Sequence, residues 1–299
     1  MAVEPQGKFF YMGLPGGQIG YLVGLNIDQA SGAVSFNQVS YLAEVGAVAV
    51  DPSGKFLFLT STGSSGGNQG GVGTFVIDSQ TGAFTSIGGV AIDNSFAYKV
   101  SVDPLDRFVY VAYFQEDGPH LVIPLTLDSN SGTLSRVAAP VAVDQGDWLV
   151  PDPSGRFLYV GNSGSNTISA FKVDPTSGAL TPIAGAPFAT TGAATQLDAA
   201  PGAIDPSGKY LYVTSSVASN VSVYAIDHNS GRLAPVNGSP FPTGAAPVAV
   251  LAEPLGRFVY VSGHSGISAF QVDSANGALT AIGGSPFAPA FAGDMSFSY

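Results

Sequence analysis

Residues 152–188 read DPSGRFLYVGNSGSNTISAFKVDPTSGALTPIAGAPF, and the opening of this stretch returns along the whole chain. Each copy starts with Asp or Glu followed by Pro, has a basic residue four positions after the acid, and continues with an aromatic residue. The basic residues that mark the copies are Lys8, Lys55, Arg107, Arg156, Lys209 and Arg257. The steps between them are 47, 52, 49, 53 and 48 residues. The chain is therefore a sixfold repeat with a period of about 50 residues.

A second marker, Asp followed four residues later by Gly, occurs once in each copy. The six pairs are Asp28 and Gly32, Asp78 and Gly82, Asp128 and Gly132, Asp174 and Gly178, Asp227 and Gly231, and Asp273 and Gly277. An Asp side chain accepts hydrogen bonds from turn backbone, and Gly adopts the positive φ that a tight turn requires. The marker thus predicts a tight turn between two strands in every repeat.

The segments between these markers have the periodicity of β-strands. Residues 168–173, ISAFKV, alternate between two faces, whereas residues 157–160 are apolar on both, as in a strand covered from both sides. Four short strands per repeat and no helical period are typical of a β-propeller blade. We label the strands A to D and predict one all-β domain over residues 1–299, with six four-stranded blades.

The two ends of the chain predict how the ring closes. Residues 291–299 resemble a strand A that lacks its Asp-Pro, and Glu4-Pro5 supplies that pair ahead of a strand B. The step from residue 257 round to residue 8 is 50 residues, which matches the other repeats. We predict that the C-terminal strand joins the N-terminal blade, so that no sheet edge stays open at the junction.

The repeat resembles the YVTN-type, lactonase-like β-propeller family, which includes 6-phosphogluconolactonase-like proteins and carboxymuconate lactonizing enzymes. The residues that carry the resemblance are the turn and core residues of residues 152–188 and their copies. The resemblance implies a propeller and, by analogy, the opening or closing of a lactone ring. Members of the family usually have seven blades, and this chain has six repeats, so the site residues of seven-bladed members are not transferred to it.

Composition excludes several classes of function. Only 10% of the 299 residues are charged and the net charge is −11, which disfavours nucleic acid as a partner. The absence of Cys excludes disulfides and thiolate chemistry, and no apolar run has the length of a membrane span. The low charge and the abundance of Gly and Ser favour a secreted, periplasmic or surface protein over a cytoplasmic one. We expect a monomer.

Eight acidic residues lie outside the repeat's acidic positions, all in B–C or D–A connections or at the start of strand A. They are Glu44, Asp93, Glu116, Asp117, Asp144, Asp147, Asp198 and Asp294. Because a meander places these connections at one end of each sheet, we predict an acidic face opposite a regular, turn-rich face. The residues expected nearest the central channel on the acidic face form the candidate ligand site: Glu44, Tyr98, Lys99, Asp147, Trp148, Asp198 and Asp294.

This candidate site has several interpretations. Carboxylates at Glu44, Asp147, Asp198 and Asp294 suit Ca²⁺ or another divalent cation, although nothing in the sequence requires a cofactor. Lys99 would orient a carbonyl group or neutralise the acids, and Trp148 would offer a stacking surface. The catalytic candidates are Glu44, Lys99, Asp147 and His120, which lies beside Glu116 and Asp117. The alternative is that these acids only make the loops soluble.

Two functions follow from these interpretations. The first is a secreted or surface propeller that binds a small polar, cationic or glycan-type ligand, or a protein, at the acidic channel mouth. The second is a lactone hydrolase or lactonizing cycloisomerase that acts at the same site, with or without a divalent metal. An acidic site is the wrong environment for a phosphorylated or carboxylated substrate, so the second function suits an uncharged lactone better. The sequence leaves open whether the protein is an enzyme.

Overall fold

The structure, a computed structural model, describes residues 1–14, 20–42, 45–61, 70–92, 95–115, 118–190 and 202–287. These residues form β-strands and no helix. They are arranged in six antiparallel sheets, one for each repeat. The all-β prediction is therefore confirmed over the described residues.

The strands are named in chain order. The first sheet contains β1 (Ala2–Val3), β2 (Phe9–Leu14), β3 (Gly20–Ile27) and β4 (Val34–Leu42). The second contains β5 (Val48–Val50), β6 (Phe56–Ser61), β7 (Gly71–Ile77) and β8 (Phe84–Ala91). The third contains β9 (Ser95–Val102), β10 (Phe108–Gln115), β11 (His120–Leu127), β12 (Leu134–Arg136) and β13 (Val141–Val143).

The remaining sheets follow the same scheme. The fourth contains β14 (Gly146–Pro151), β15 (Phe157–Asn162), β16 (Thr167–Val173), β17 (Leu180–Pro182) and β18 (Phe188–Ala189). The fifth contains β19 (Ala203–Ile204), β20 (Tyr210–Ser215), β21 (Asn220–Ile226), β22 (Leu233–Pro235) and β23 (Phe241–Pro242). The sixth contains β24 (Pro247–Ala252), β25 (Phe258–Gly263), β26 (Gly266–Val272) and β27 (Leu279–Ala281).

Each sheet is a meander in which four strands pair in chain order. The A–B and C–D turns therefore lie at one end of a sheet, here called its turn end. The B–C and D–A connections lie at the other, here called its connection end. In the third, fourth and fifth sheets a short extra strand follows the fourth one and also pairs with the third strand of its sheet. Strand D is thus interrupted in these repeats.

The chain forms two compact units, which we treat separately. Among the described residues, the first contains Met1–Ala142 with Pro175–Leu180, and the second contains Val143–Asp174 with residues 181–287. The first unit includes the first three sheets, and the second includes most of the last three. Residues 291–299, which we expect to close the ring, lie outside the described residues.

Strand β6 shows why strand B is apolar on both faces. Leu57 and Leu59 belong to the core cluster shared with the first sheet, whereas Phe56 and Phe58 belong to the cluster shared with the third. The odd and even residues of β20 divide in the same way between the fourth and sixth sheets. A strand covered on both sides has no polar face, as the sequence predicts.

The turn residues behave as their spacing predicts. All six marker glycines have φ between 69° and 78°. The Asp227 carboxylate accepts hydrogen bonds from the backbone N–H groups of Asn229 and Ser230, at 3.0 and 2.7 Å. These hydrogen bonds, together with one from the Ser230 hydroxyl, lower the pKa of Asp227. Asp106, which replaces a turn Gly, has a φ of 55°.

The start of the chain differs from the prediction. We expected residues 291–299 to provide strand A of the first sheet, but Ala2 and Val3 already pair with Tyr11 and Phe10 as β1. The N-terminal segment therefore supplies at least part of that strand. This strand, β1, is only two residues long, because the turn begins with Glu4-Pro5 directly after Val3.

Tyr159 and Tyr212 have equivalent positions in strand B of their repeats, but we expect their replacement by Phe to change stability by different amounts. The Tyr159 hydroxyl is buried and donates to the Gly231 carbonyl oxygen at 2.9 Å, whereas the buried Tyr212 hydroxyl has no partner among the described residues. We expect Tyr159→Phe to lower the free energy of unfolding by about 1–2 kcal/mol, because it leaves the Gly231 carbonyl unpaired. Tyr212→Phe removes the same atom and should leave stability unchanged or increase it. Urea denaturation of both variants tests this, and equal losses would contradict it.

Candidate functional site

The described residues include five of the predicted site residues: Tyr98, Lys99, His120, Asp147 and Trp148. Glu44, Asp198 and Asp294 lie outside the described residues, and so do Asp93, Glu116 and Asp117. The predicted convergence of carboxylates at a channel mouth therefore stays a prediction.

A β-bulge in the first strand of a sheet positions two of these side chains. Lys99 pairs with Ala112 and Ala97 pairs with Tyr113, so Tyr98 is the extra residue of β9. In the same way, Asp147 is the extra residue of β14 between Gly146 and Trp148. Both stand nine residues before the basic residue of their repeat, and Val248 of β24 has the equivalent position. Bulges redirect side chains and occur frequently beside active sites.

Tyr98 and His120 form a hydrogen-bonded pair in the first unit. The Tyr98 hydroxyl oxygen lies 3.2 Å from Nδ1 of His120, and both side chains are half-buried. His120 begins β11 at the connection end of the third sheet and pairs with Phe114 of β10, whose other neighbour is the bulged end of β9. The pair combines a ring nitrogen that can exchange a proton with a phenol that fixes the orientation of the imidazole.

Two phenylalanines extend this pair into a cluster of four rings. Phe96 and Phe114 are stacked, with ring centroids 4.8 Å apart and an interplanar angle of 13°. The Phe114 centroid lies 5.4 Å from that of His120 and 6.0 Å from that of Tyr98. All four rings are half-buried, and none belongs to a core cluster. We call Phe96, Tyr98, Phe114 and His120 the ring cluster.

Lys99 follows Tyr98 in β9 and is half-buried. It lies close enough to the amino group of Met1 for its positive charge to contribute to a lowered pKa there, after the larger effect of burial. Within the third sheet the other basic residue outside the repeat's basic position is Arg136, whose guanidinium donates to the Ala91 carbonyl oxygen.

The prediction that Trp148 offers a stacking surface to a ligand is wrong. Its side chain is only 2% exposed and belongs to the core shared by the fourth and fifth sheets. The indole lies against the backbone of Gly161 and Gly202, where a side chain would overlap it or press on it. Trp148 is therefore a core residue and does not offer the expected stacking surface for a ligand. Its indole N–H has no partner among the described residues.

The described residues contain no group of three or more potential metal ligands. Of the four proposed cation ligands, only Asp147 is among them, so a divalent cation stays a prediction. Within the same ranges no helical segment has the length and hydropathy of a membrane span.

The described residues form six meanders of antiparallel strands, one for each repeat, which defines an all-β repeat protein. Sequence comparison then gives the family. The lactonase, 7-bladed beta-propeller family matches residues 27–151, 128–197, 149–251 and 203–297. The chain belongs to this family. The described residues contain six sheets, whereas the family is described as seven-bladed.

A curated relative and two solved structures are also similar to this chain. A 6-phosphogluconolactonase of Pectobacterium carotovorum is 30% identical over 133 residues, which are 42% of this chain and 38% of that protein. A candidate 6-phosphogluconolactonase from Bacteroides uniformis has a TM-score of 0.74 at 20% identity, covering 94% of this chain and 83% of its own. A periplasmic gluconolactonase from Pseudomonas aeruginosa has a TM-score of 0.72 at 17% identity, with the same coverage. At these identities the two structures show a shared fold.

Sequence reasoning found Tyr98 and His120 but missed Phe96 and Phe114. A signal was present in part, because the fourth and fifth repeats have Ser163 and Ser216 at the position of Phe114, although the sixth has His264.

Proposed function

We propose that this protein is a lactone hydrolase and that its active site lies at the connection end of the third sheet. The observation that carries the proposal is the hydrogen bond between Tyr98 and His120. It joins a base, His120, to the residue that orients it, Tyr98, and both side chains are half-exposed. Membership of the lactonase family supports the reaction class, and the names of the relatives point to sugar lactones as their substrates.

The chemistry follows from the imidazole. When Nδ1 of His120 is bonded to the Tyr98 hydroxyl, Nε2 is the nitrogen left for a water molecule. Neutral His120 takes a proton from that water as its oxygen bonds to the lactone carbonyl carbon. The ring C–O bond then breaks, and the same proton passes to the leaving oxygen, which gives a hydroxy acid. General base catalysis of this kind is worth about 10²–10⁴-fold in rate.

We also propose four more detailed properties of the protein. They include the closed ring of six blades, export from the cytoplasm, a monomeric state and a divalent cation held by the acids Glu44, Asp147, Asp198 and Asp294. A binding protein without catalysis, for a polar, cationic or glycan-type ligand or for a protein, is the competing function. The observation that favours the hydrolase over this competitor is the hydrogen bond between Tyr98 and His120, which holds the imidazole in the fixed orientation that a general base needs.

A lactone panel tests the proposed reaction. We expect the wild-type protein to open at least one of δ-gluconolactone, 6-phosphogluconolactone, δ-valerolactone and dihydrocoumarin faster than the buffer does, as followed by acid release. His120→Asn should lower kcat by about 10²-fold or more because the general base is lost. His228→Asn, in an exposed turn, is the matched control and should keep full activity. Equal activity of His120→Asn and wild type would overturn the assignment of His120, and no turnover at all would favour the binding protein.

A further inference from the structure

The ring cluster holds more aromatic surface than acid–base chemistry requires. Tyr98 and His120 suffice for the proton transfer, yet Phe96 and Phe114 stack beside them with their centroids 4.8 Å apart. Both phenylalanines are half-exposed and lie outside the core clusters. Burial of an aromatic side chain is strongly favourable, so partly exposed rings grouped on one surface indicate a surface that a ligand covers.

The charge around the cluster restricts the ligand. Recognition of phosphate or carboxylate usually relies on clustered Arg or Lys. Lys99 and Arg136 are the basic residues of the third sheet outside its repeat position, and Arg136 already donates to the Ala91 carbonyl oxygen. The chain as a whole carries a net charge of −11. A phosphorylated substrate therefore finds no cluster of cations on this sheet.

We propose that the ring cluster binds a neutral lactone with a fused or attached apolar ring, which packs against the Phe96–Phe114 pair while its carbonyl group lies beside His120. This inference rests on the proposed function, because it names the substrate class of the same site. The rings of Phe114 and His120 have centroids 5.4 Å apart, so a bicyclic ligand is large enough to contact both. Offset stacking suits such a ligand, and Phe114 contacts all three other rings of the cluster.

Two neutral lactones separate this substrate class from others. Dihydrocoumarin and δ-valerolactone share the six-membered lactone ring, and only the former carries a fused aryl ring. Dihydrocoumarin also has the better leaving group, a phenol, so each kcat/KM is divided by the rate of hydroxide-catalysed hydrolysis of the same lactone. On this scale we expect the wild-type protein to prefer dihydrocoumarin by about tenfold. Phe114→Leu should remove most of this preference, chiefly by raising KM for dihydrocoumarin, and should affect the reaction of δ-valerolactone less. Phe36→Leu, at a ring 64% exposed on β4, is the matched control and should change neither.

Binding without reaction keeps the two proposals distinguishable. 2-Tetralone has the shape of dihydrocoumarin but lacks the ring oxygen, so it cannot be hydrolysed. Calorimetry should show that it binds to wild type and about tenfold more weakly to Phe114→Leu. If this difference appears without any lactone turnover, the proposed function fails and the binding preference stands. If lactones are hydrolysed but Phe114→Leu keeps the full preference, or if wild type prefers 6-phosphogluconolactone, the inference is overturned and the hydrolase remains.

Discussion

Gly161→Ala should destabilise the protein by about 3 kcal/mol or more, at the upper end of overpacking changes in a core. A Cβ atom at position 161 would lie 2.0 Å from Cε2 and 2.1 Å from Nε1 of Trp148. The indole cannot retreat easily, because it is 2% exposed and its other edge lies against Gly202. Chemical denaturation followed by Trp148 fluorescence measures the change directly, since Trp148 is the only tryptophan in the chain.

Two further variants isolate the cause. Gly283→Ala is the matched control, since a Cβ atom there has no heavy atom within 4 Å and the backbone is not in the left-handed region. It should leave the denaturation midpoint within experimental error. Adding Trp148→Leu to Gly161→Ala should recover part of the loss, because the smaller side chain vacates the space that the methyl group needs. Circular dichroism follows the denaturation of this double variant, which has no tryptophan. A denaturation midpoint for Gly161→Ala equal to that of Gly283→Ala would show that the strands separate readily at this point.

Asp152→Ala should cost about 3–5 kcal/mol, because several backbone donors lose one shared acceptor. The Asp152 carboxylate is 4% exposed and accepts hydrogen bonds from the N–H groups of Ser154, Arg156 and Phe157 at 3.1, 2.7 and 2.6 Å. Water has little access to these donors once the carboxylate is gone. The Tm of the variant measures the loss.

Asp227→Ala provides the comparison for Asp152→Ala. Asp227 also accepts backbone N–H bonds, but it lies in an exposed turn where water can replace the carboxylate. Its loss should therefore be clearly smaller. If both variants lose the same stability, burial is not what makes the Asp-Pro turn important, and the repeat's acidic residue acts only as a local turn former.

The repeat could be predicted from the sequence because its signals are local. Asp152 and Gly178 each fix the geometry of a turn through atoms a few residues away, so one sequence contains the whole reason for their presence. The alternation in β6 likewise reports burial on both faces. These features predict one four-stranded antiparallel sheet for each repeat, and the described residues show this, apart from the short β1 and the interrupted fourth strands.

The candidate site could be predicted only in part because its contacts are not local. The pairing of Tyr98 with His120 depends on a bulge in β9, and a bulge leaves no mark in the spacing of the repeat. For Trp148 the prediction of a ligand-binding surface was wrong. An isolated aromatic residue near a connection suggested such a surface, but the side chain is buried in the core. The glycine opposite it in β15, Gly161, is the evidence that the indole is packed inward.

The side chain can vary at the bulge positions without a change in strand pairing. These positions hold the extra residues Tyr98, Asp147 and Val248. Each occupies an inserted place in its strand and has no counterpart in the neighbouring ladder, so its identity is free of the pairing rules that constrain the residues on either side. A phenol, a carboxylate and an isopropyl group occur at three equivalent places of one chain without any change in how the strands align. Single exchanges at these places therefore leave the alignment of the surrounding strands unchanged.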